Sequence, residues 1–183
     1  MNKAIKTGIT LALIAAIAAT ALALINSITA PKIAEYEAQV VLNALSEVAP
    51  GYDIKEKEDV TDGVVNSLYP IYKDDVLEGY IVSLKGNGYG GEFNLMVSYT
   101  LKGSVIDARL LANSETPGLG KKAEKGQYME KFQNTGGNTP VPVKKGQLDK
   151  DEADSIGGST VTFSAIAKTI AYGSSFVEEK GGK

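Results

Sequence analysis

The sequence predicts an α+β protein: one N-terminal transmembrane helix, then a single extracytoplasmic domain with a mainly antiparallel sheet and flanking helices. Three observations carry this expectation. Positions 7–31, "TGITLALIAAIAATALALINSITAP", form a run of 25 residues with no charge, and about 20 apolar residues span a bilayer's hydrocarbon core. Between positions 64 and 112, apolar stretches alternate with short turn sequences, the pattern of successive hairpins. Near the end, Ile166, Ala167, Ile170 and Ala171 return to helical spacing.

The anchor lies between Lys6 and Lys32. A cleaved signal peptide has a shorter apolar region, roughly 7–15 residues, so a retained anchor is expected over 1–31. Lys3 and Lys6 precede the run, whereas Lys32 is soon offset by Glu35 and Glu37. The positive-inside bias is slight and places the N-terminus in the cytoplasm, with the domain outside the cell membrane.

The domain is expected over 32–178, with a frayed tail at 179–183. Ile33, Tyr36, Val40, Val41, Ala44, Leu45 and Val48 have helical spacing, closed by Pro50-Gly51. That helix continues the anchor beyond a kink at Pro31. "VVNSLYPIYK" and "LEGYIVSLK" flank Asp74-Asp75 as one hairpin, and "EFNLMVSYT" and "SVIDARLLA" flank Leu101-Lys102-Gly103 as another. Phe93, Leu95, Val97 and Tyr99 alternate as in a half-buried strand. "KGQYMEKFQ" reads as a weak helix, "TPVPV" as an extended piece, and 160–179 as the final helix.

Composition narrows the chemistry. The chain has 183 residues, a net charge of −3, and neither Cys nor His. Within it there is no thiol nucleophile, no Cys-ligated cluster, no Ser-His-Asp triad and no imidazole base. Lys and Arg are not clustered in one tract, so nothing points to nucleic acid. No metal site and no catalytic acid or base are expected, and any redox chemistry belongs to a cofactor.

Three Gly-rich stretches are candidate sites. "DSIGGSTVTFS", 154–164, sets hydroxyls and two glycines before the final helix. Such residues cap a helix, and the same arrangement makes a phosphate cradle from amide donors and the helix dipole. "NSETPGLGKK", 113–122, is either a solvated connector or a rigid turn presenting Leu119 to a planar ring. "GNGYGGEF", 86–93, is a wide hairpin or a close approach to a ligand.

Together, "TAPKIAEYE", "GYGGEFNLMVSY", "ETPGLG" and "DSIGGSTVT" resemble the G-type, FMN-binding subunit of the Rnf complex, the ion-translocating ferredoxin:NAD oxidoreductase. The related flavin subunit of the sodium-translocating NADH:quinone oxidoreductase shares the domain. "ETPGLG" matches the family motif letter for letter. In that family FMN is joined through its phosphate to a threonine in a Ser-Gly-Ala-Thr-like motif. Gly157 falls on the serine, Gly158 on the glycine, Ser159 on the alanine and Thr160 on the modified threonine.

The resemblance implies covalent FMN on Thr160, with Ser159 and Thr162 as competing hydroxyls beside Gly158. Glu115, Thr116, Leu119 and Gly120 would border the ring or phosphate, and Tyr89, Gly90 and Lys121 are further candidates. It also implies an electron-carrier role, with other membrane subunits as partners and a flavin transferase for attachment. The quinone-reducing complex is the alternative within the same fold, and those chains are usually longer. A cofactor-free anchored binding module is the alternative outside it.

Overall fold

The computed structural model describes residues 2–60 and 62–181. Helix α1 (Lys3–Val48) runs unbroken through Pro31 and is the only described helix long and apolar enough to cross a membrane. The chain divides into two compact units, Met1–Val41 and Leu42–Lys183. That division falls further along than the expected boundary after position 31, because helical backbone continues through Pro31 and burial begins only near Ala44.

The second unit is built on one antiparallel sheet. Its strands are β1 (Asp53–Ile54), β2 (Glu58–Asp59), β3 (Val65–Lys73), β4 (Val76–Asn87), β5 (Glu92–Thr100) and β6 (Val105–Asn113), in the order β1-β3-β4-β5-β6 with β2 also on β3. Both expected hairpins are present. Lys73 pairs with Val76 across Asp74 and Asp75, whose φ angles of 50° and 62° mark a left-handed two-residue turn. Pro70, which has no N–H, falls between the β3 residues that pair with β1 and those that pair with β2.

Strand β5 is buried on both faces rather than one. Phe93, Leu95, Val97 and Tyr99 point into the main core, which helix α4 (Thr160–Gly181) covers with Phe163, Ile166, Ala167, Ile170 and Val177. On the other face lie Met96 and Ser98, and the Ser98 hydroxyl donates to the Val48 carbonyl at the end of α1. Arg109 on β6 reaches Glu47 at 3.3 Å and Asp107 at 2.9 Å. Apolar alternation finds one buried face; Ser98 and Met96 gave no sign of the second.

Beyond β6 the expected weak helix is a short α2 (Gly126–Met129) between two 3-10 turns, and the expected extended piece near Val141 belongs to no strand. An unforeseen helix α3 (Lys150–Ser155) is capped by Asp149, which accepts from the Glu152 amide at 2.8 Å. Helix α4 is held close to the sheet. Gly173 leaves room for the Tyr99 hydroxyl, which donates to the Ile170 carbonyl at 2.8 Å. Ser174 donates to the Gly103 carbonyl at 2.7 Å. The helix continues to Gly181, and Lys180 contacts Glu58 and the Tyr80 ring, so the tail from 179 is helical as far as it is described; 182 and 183 lie outside the described residues.

Candidate functional site

The start of α4 is placed by its two glycines. Of the stretch expected to cap the final helix, Asp154 and Ser155 lie at the end of α3 instead. Gly158 has a φ of 81°, a left-handed turn that redirects the chain, and a Cβ there would lie 2.9 Å from Leu119 Cδ2. Ser159 takes the cap position, since its carbonyl accepts from the Phe163 amide at 2.9 Å. That is the first bond of the helix, so the amides of Thr160, Val161 and Thr162 precede it at the exposed positive end.

The hydroxyls here differ in what they do. Ser159 is 5% exposed and its hydroxyl turns back to the Ile156 carbonyl at 3.1 Å. Thr162 is 2% exposed and its hydroxyl donates to Glu115 Oε2 at 2.8 Å. Thr160 is exposed and makes no hydrogen bond through its side chain among the described residues. Its Oγ1 is the uncommitted nucleophile-type oxygen of the three.

Glu115 comes from the turn after β6 and is 3% exposed. Its Oε1 accepts from the Gly90 amide at 3.2 Å, and its own amide donates to Asn113 Oδ1 at 3.0 Å. A side chain at Gly88 or Gly120 would collide with the Glu115 carboxylate, and one at Gly90 with the Ser114 carbonyl. Glycines in two separate loops thus make way for one carboxylate and the backbone beside it.

These segments enclose a cleft of about 390 Å³, lined by Tyr89, Glu115, Thr116, Leu119, Gly120, Gly158, Ser159, Thr160, Val161 and Thr162. Every residue to which the motifs give a ligand role lines it, apart from the further candidates Gly90 and Lys121. Gly90 stands behind the wall, and Lys121 lies 3.6 Å from Glu124. Val161 was missed; its signal was an apolar side chain in an exposed first helical turn. Tyr89 is 76% exposed, and with Leu119 and Val161 it gives the cleft an apolar rim.

Tyr128 adds an unforeseen feature. It is buried, its hydroxyl has no hydrogen-bond partner among the described residues, and burial pushes it well above its usual titration range.

A ligand-sized cleft closed by a helix N-terminus, in a domain that follows an apolar helix in sequence, defines a class. Residues 88–173 match the model of the FMN-binding domain, and residues 1–48 match that of the RnfG N-terminal region. The G-type subunit of the ion-translocating oxidoreductase complex of Cereibacter sphaeroides is 30% identical over 178 residues, covering 91% of this chain and 81% of that protein. Its namesake in the Na(+)-translocating ferredoxin:NAD(+) oxidoreductase complex of Acetobacterium woodii is 29% identical over 182 residues, covering 90% and 87%. A proton-translocating counterpart from Clostridium ljungdahlii is 30% identical over 102 residues, covering 56% and 55%. The chain belongs to the family of G-type subunits of Rnf ion-translocating oxidoreductase complexes.

Proposed function

We propose that this chain is the electron-carrier subunit of a membrane-bound ferredoxin:NAD oxidoreductase, holding one FMN through a phosphoester to Thr160. The observation that carries the residue assignment is the state of the hydroxyls: Ser159 and Thr162 are buried and engaged, whereas Thr160 is exposed and uncommitted. Esterification joins Thr160 Oγ1 to the phosphorus, with loss of the hydroxyl proton and of the leaving group on the phosphoryl donor. A flavin transferase supplies that step; Glu115, the carboxylate of the lining, is already engaged by the Gly90 amide and the Thr162 hydroxyl.

The residues fit the group. The cleft falls within the roughly 300–1,000 Å³ typical of small-molecule sites. The amides of the first turn of α4 suit a phosphate, because a helix N-terminus offers donors and a favourable dipole. Gly158 keeps the approach to Thr160 clear, and Leu119, Val161 and Tyr89 offer apolar surface to a planar ring. Bound FMN supplies the one- or two-electron chemistry that no side chain here provides. Helix α1 holds the domain at the membrane, with the N-terminus in the cytoplasm and the FMN domain outside. Other membrane subunits of the complex are the electron partners.

Intact mass of the membrane-extracted protein, followed by peptide mapping, tests this. A gain equal to FMN less one water on Thr160 is expected. The gain on Ser159 or Thr162 would correct the residue, and no gain from a host with a working flavin transferase would overturn the covalent-carrier reading.

A further inference from the structure

Among the described residues that line the cleft, Glu115 is the one carboxylate, and none is Lys or Arg. Both of its oxygens accept, one from the Gly90 amide and one from the Thr162 hydroxyl, the pattern of an ionised carboxylate. No Lys or Arg lies within ion-pair distance of it among the described residues, and the nearby Lys121 faces Glu124 instead. The close approach of Gly88 and Gly120 keeps the carboxylate fixed and shielded. The cleft therefore holds a carboxylate with no cationic side chain paired to it among the described residues.

We propose that Glu115 tunes the redox potential of the group carried at Thr160, holding it low. This rests on the reading of the cleft as an FMN site. An electron arriving from a neighbouring redox partner without a proton adds negative charge beside an existing one. Glu115 itself is buried, and repulsion from a buried charge is screened less than that from a charge in solvent. The carboxylate thus favours the oxidised form and makes the reduced form a better electron donor. Glu115 acts on the potential through charge, while its bonds to Gly90 and Thr162 hold it in place.

The test is a mediated spectroelectrochemical titration of the full-length protein in detergent, at fixed pH and ionic strength. Intact mass first establishes that each variant carries FMN, so failure of the attachment reading appears as missing mass rather than as an unchanged potential. Glu115→Gln keeps the shape and removes the charge; the expected result is a positive shift of tenfold or more in the redox equilibrium, about 59 mV for a one-electron couple. Thr162→Val weakens the brace and keeps the charge, and gives no positive shift. Glu178→Gln, an exposed carboxylate near the far end of α4, leaves the potential unchanged. Should Glu115→Gln not fold, Thr116→Lys puts a cation at an exposed lining position next to Glu115 and gives the same upward shift. An unmoved potential in the charge variants, or an equal rise in Thr162→Val or Glu178→Gln, overturns the proposal.

Discussion

The Thr162 hydroxyl donates to Glu115 Oε2 at 2.8 Å, and both side chains are almost wholly out of contact with solvent. The bond ties the first turn of α4 to the loop after β6, so it fixes the two walls of the cleft against each other. A buried carboxylate oxygen that loses its donor stays desolvated and unpaired. Thr162→Val is therefore expected to destabilise the protein by about 1–3 kcal/mol. Thr160→Val, at an exposed and unbonded position, changes stability by no more than about 0.5 kcal/mol but abolishes FMN incorporation. Urea denaturation of the unmodified full chain and intact mass after co-expression with a flavin transferase read the two effects separately.

Gly120→Ala drives a methyl into the Glu115 carboxylate. Gly120 has no positive φ, so the loss is steric rather than conformational, and a cost of about 1–3 kcal/mol is expected. Gly146, with open space around it, provides the comparison: Gly146→Ala is neutral or slightly stabilising in the same denaturation experiment.

Two buried tyrosines respond in opposite ways to loss of the hydroxyl. Tyr99 donates to the Ile170 carbonyl, and Tyr99→Phe leaves that acceptor without this donor, at a cost of about 0.5–1.5 kcal/mol. The Tyr128 hydroxyl has no partner to lose. Tyr128→Phe is neutral or stabilising, measured by thermal denaturation of both variants side by side.

The same hydroxyls set an alkaline limit. Burial raises the pKa of Tyr99 and of Tyr128 above the ordinary tyrosine value. The folded state therefore keeps protons that the unfolded chain releases above pH about 10. Their contribution to stability is complete below that pH and is lost as pH climbs from there toward the folded-state values. Unfolding monitored by circular dichroism between neutral and strongly alkaline pH should show this loss, and Tyr128→Phe should move the midpoint upward.

Local patterns made much of this fold legible. The two hairpins follow from apolar runs around Asp74-Asp75 and Leu101-Lys102-Gly103, and α4 follows from Ile166, Ala167 and Ile170. The reverse face of β5 was hidden, because Ser98 meets the end of α1 at Val48, a contact between residues far apart in sequence. Helix α3 was overlooked although Asp149 and Glu152 form a capping box. In the site, the glycine loops were visible but their purpose was not: that Gly88 and Gly120 both make room for Glu115 emerges only when the loop after β4 and the turn after β6 meet in the folded domain. The commitment of the Ser159 and Thr162 hydroxyls was equally invisible, since their acceptors are a carbonyl and a carboxylate chosen by tertiary packing.

Strands β3 to β6 each pair with the next along the chain, so this part of the sheet is built from neighbours in sequence. The cleft draws on three separate stretches, the last of them the start of α4. It is absent until the final helix settles on the finished sheet. Under the proposed attachment at Thr160, cofactor loading would certify completed folding: a chain stalled or truncated before α4 lacks both that wall and that hydroxyl.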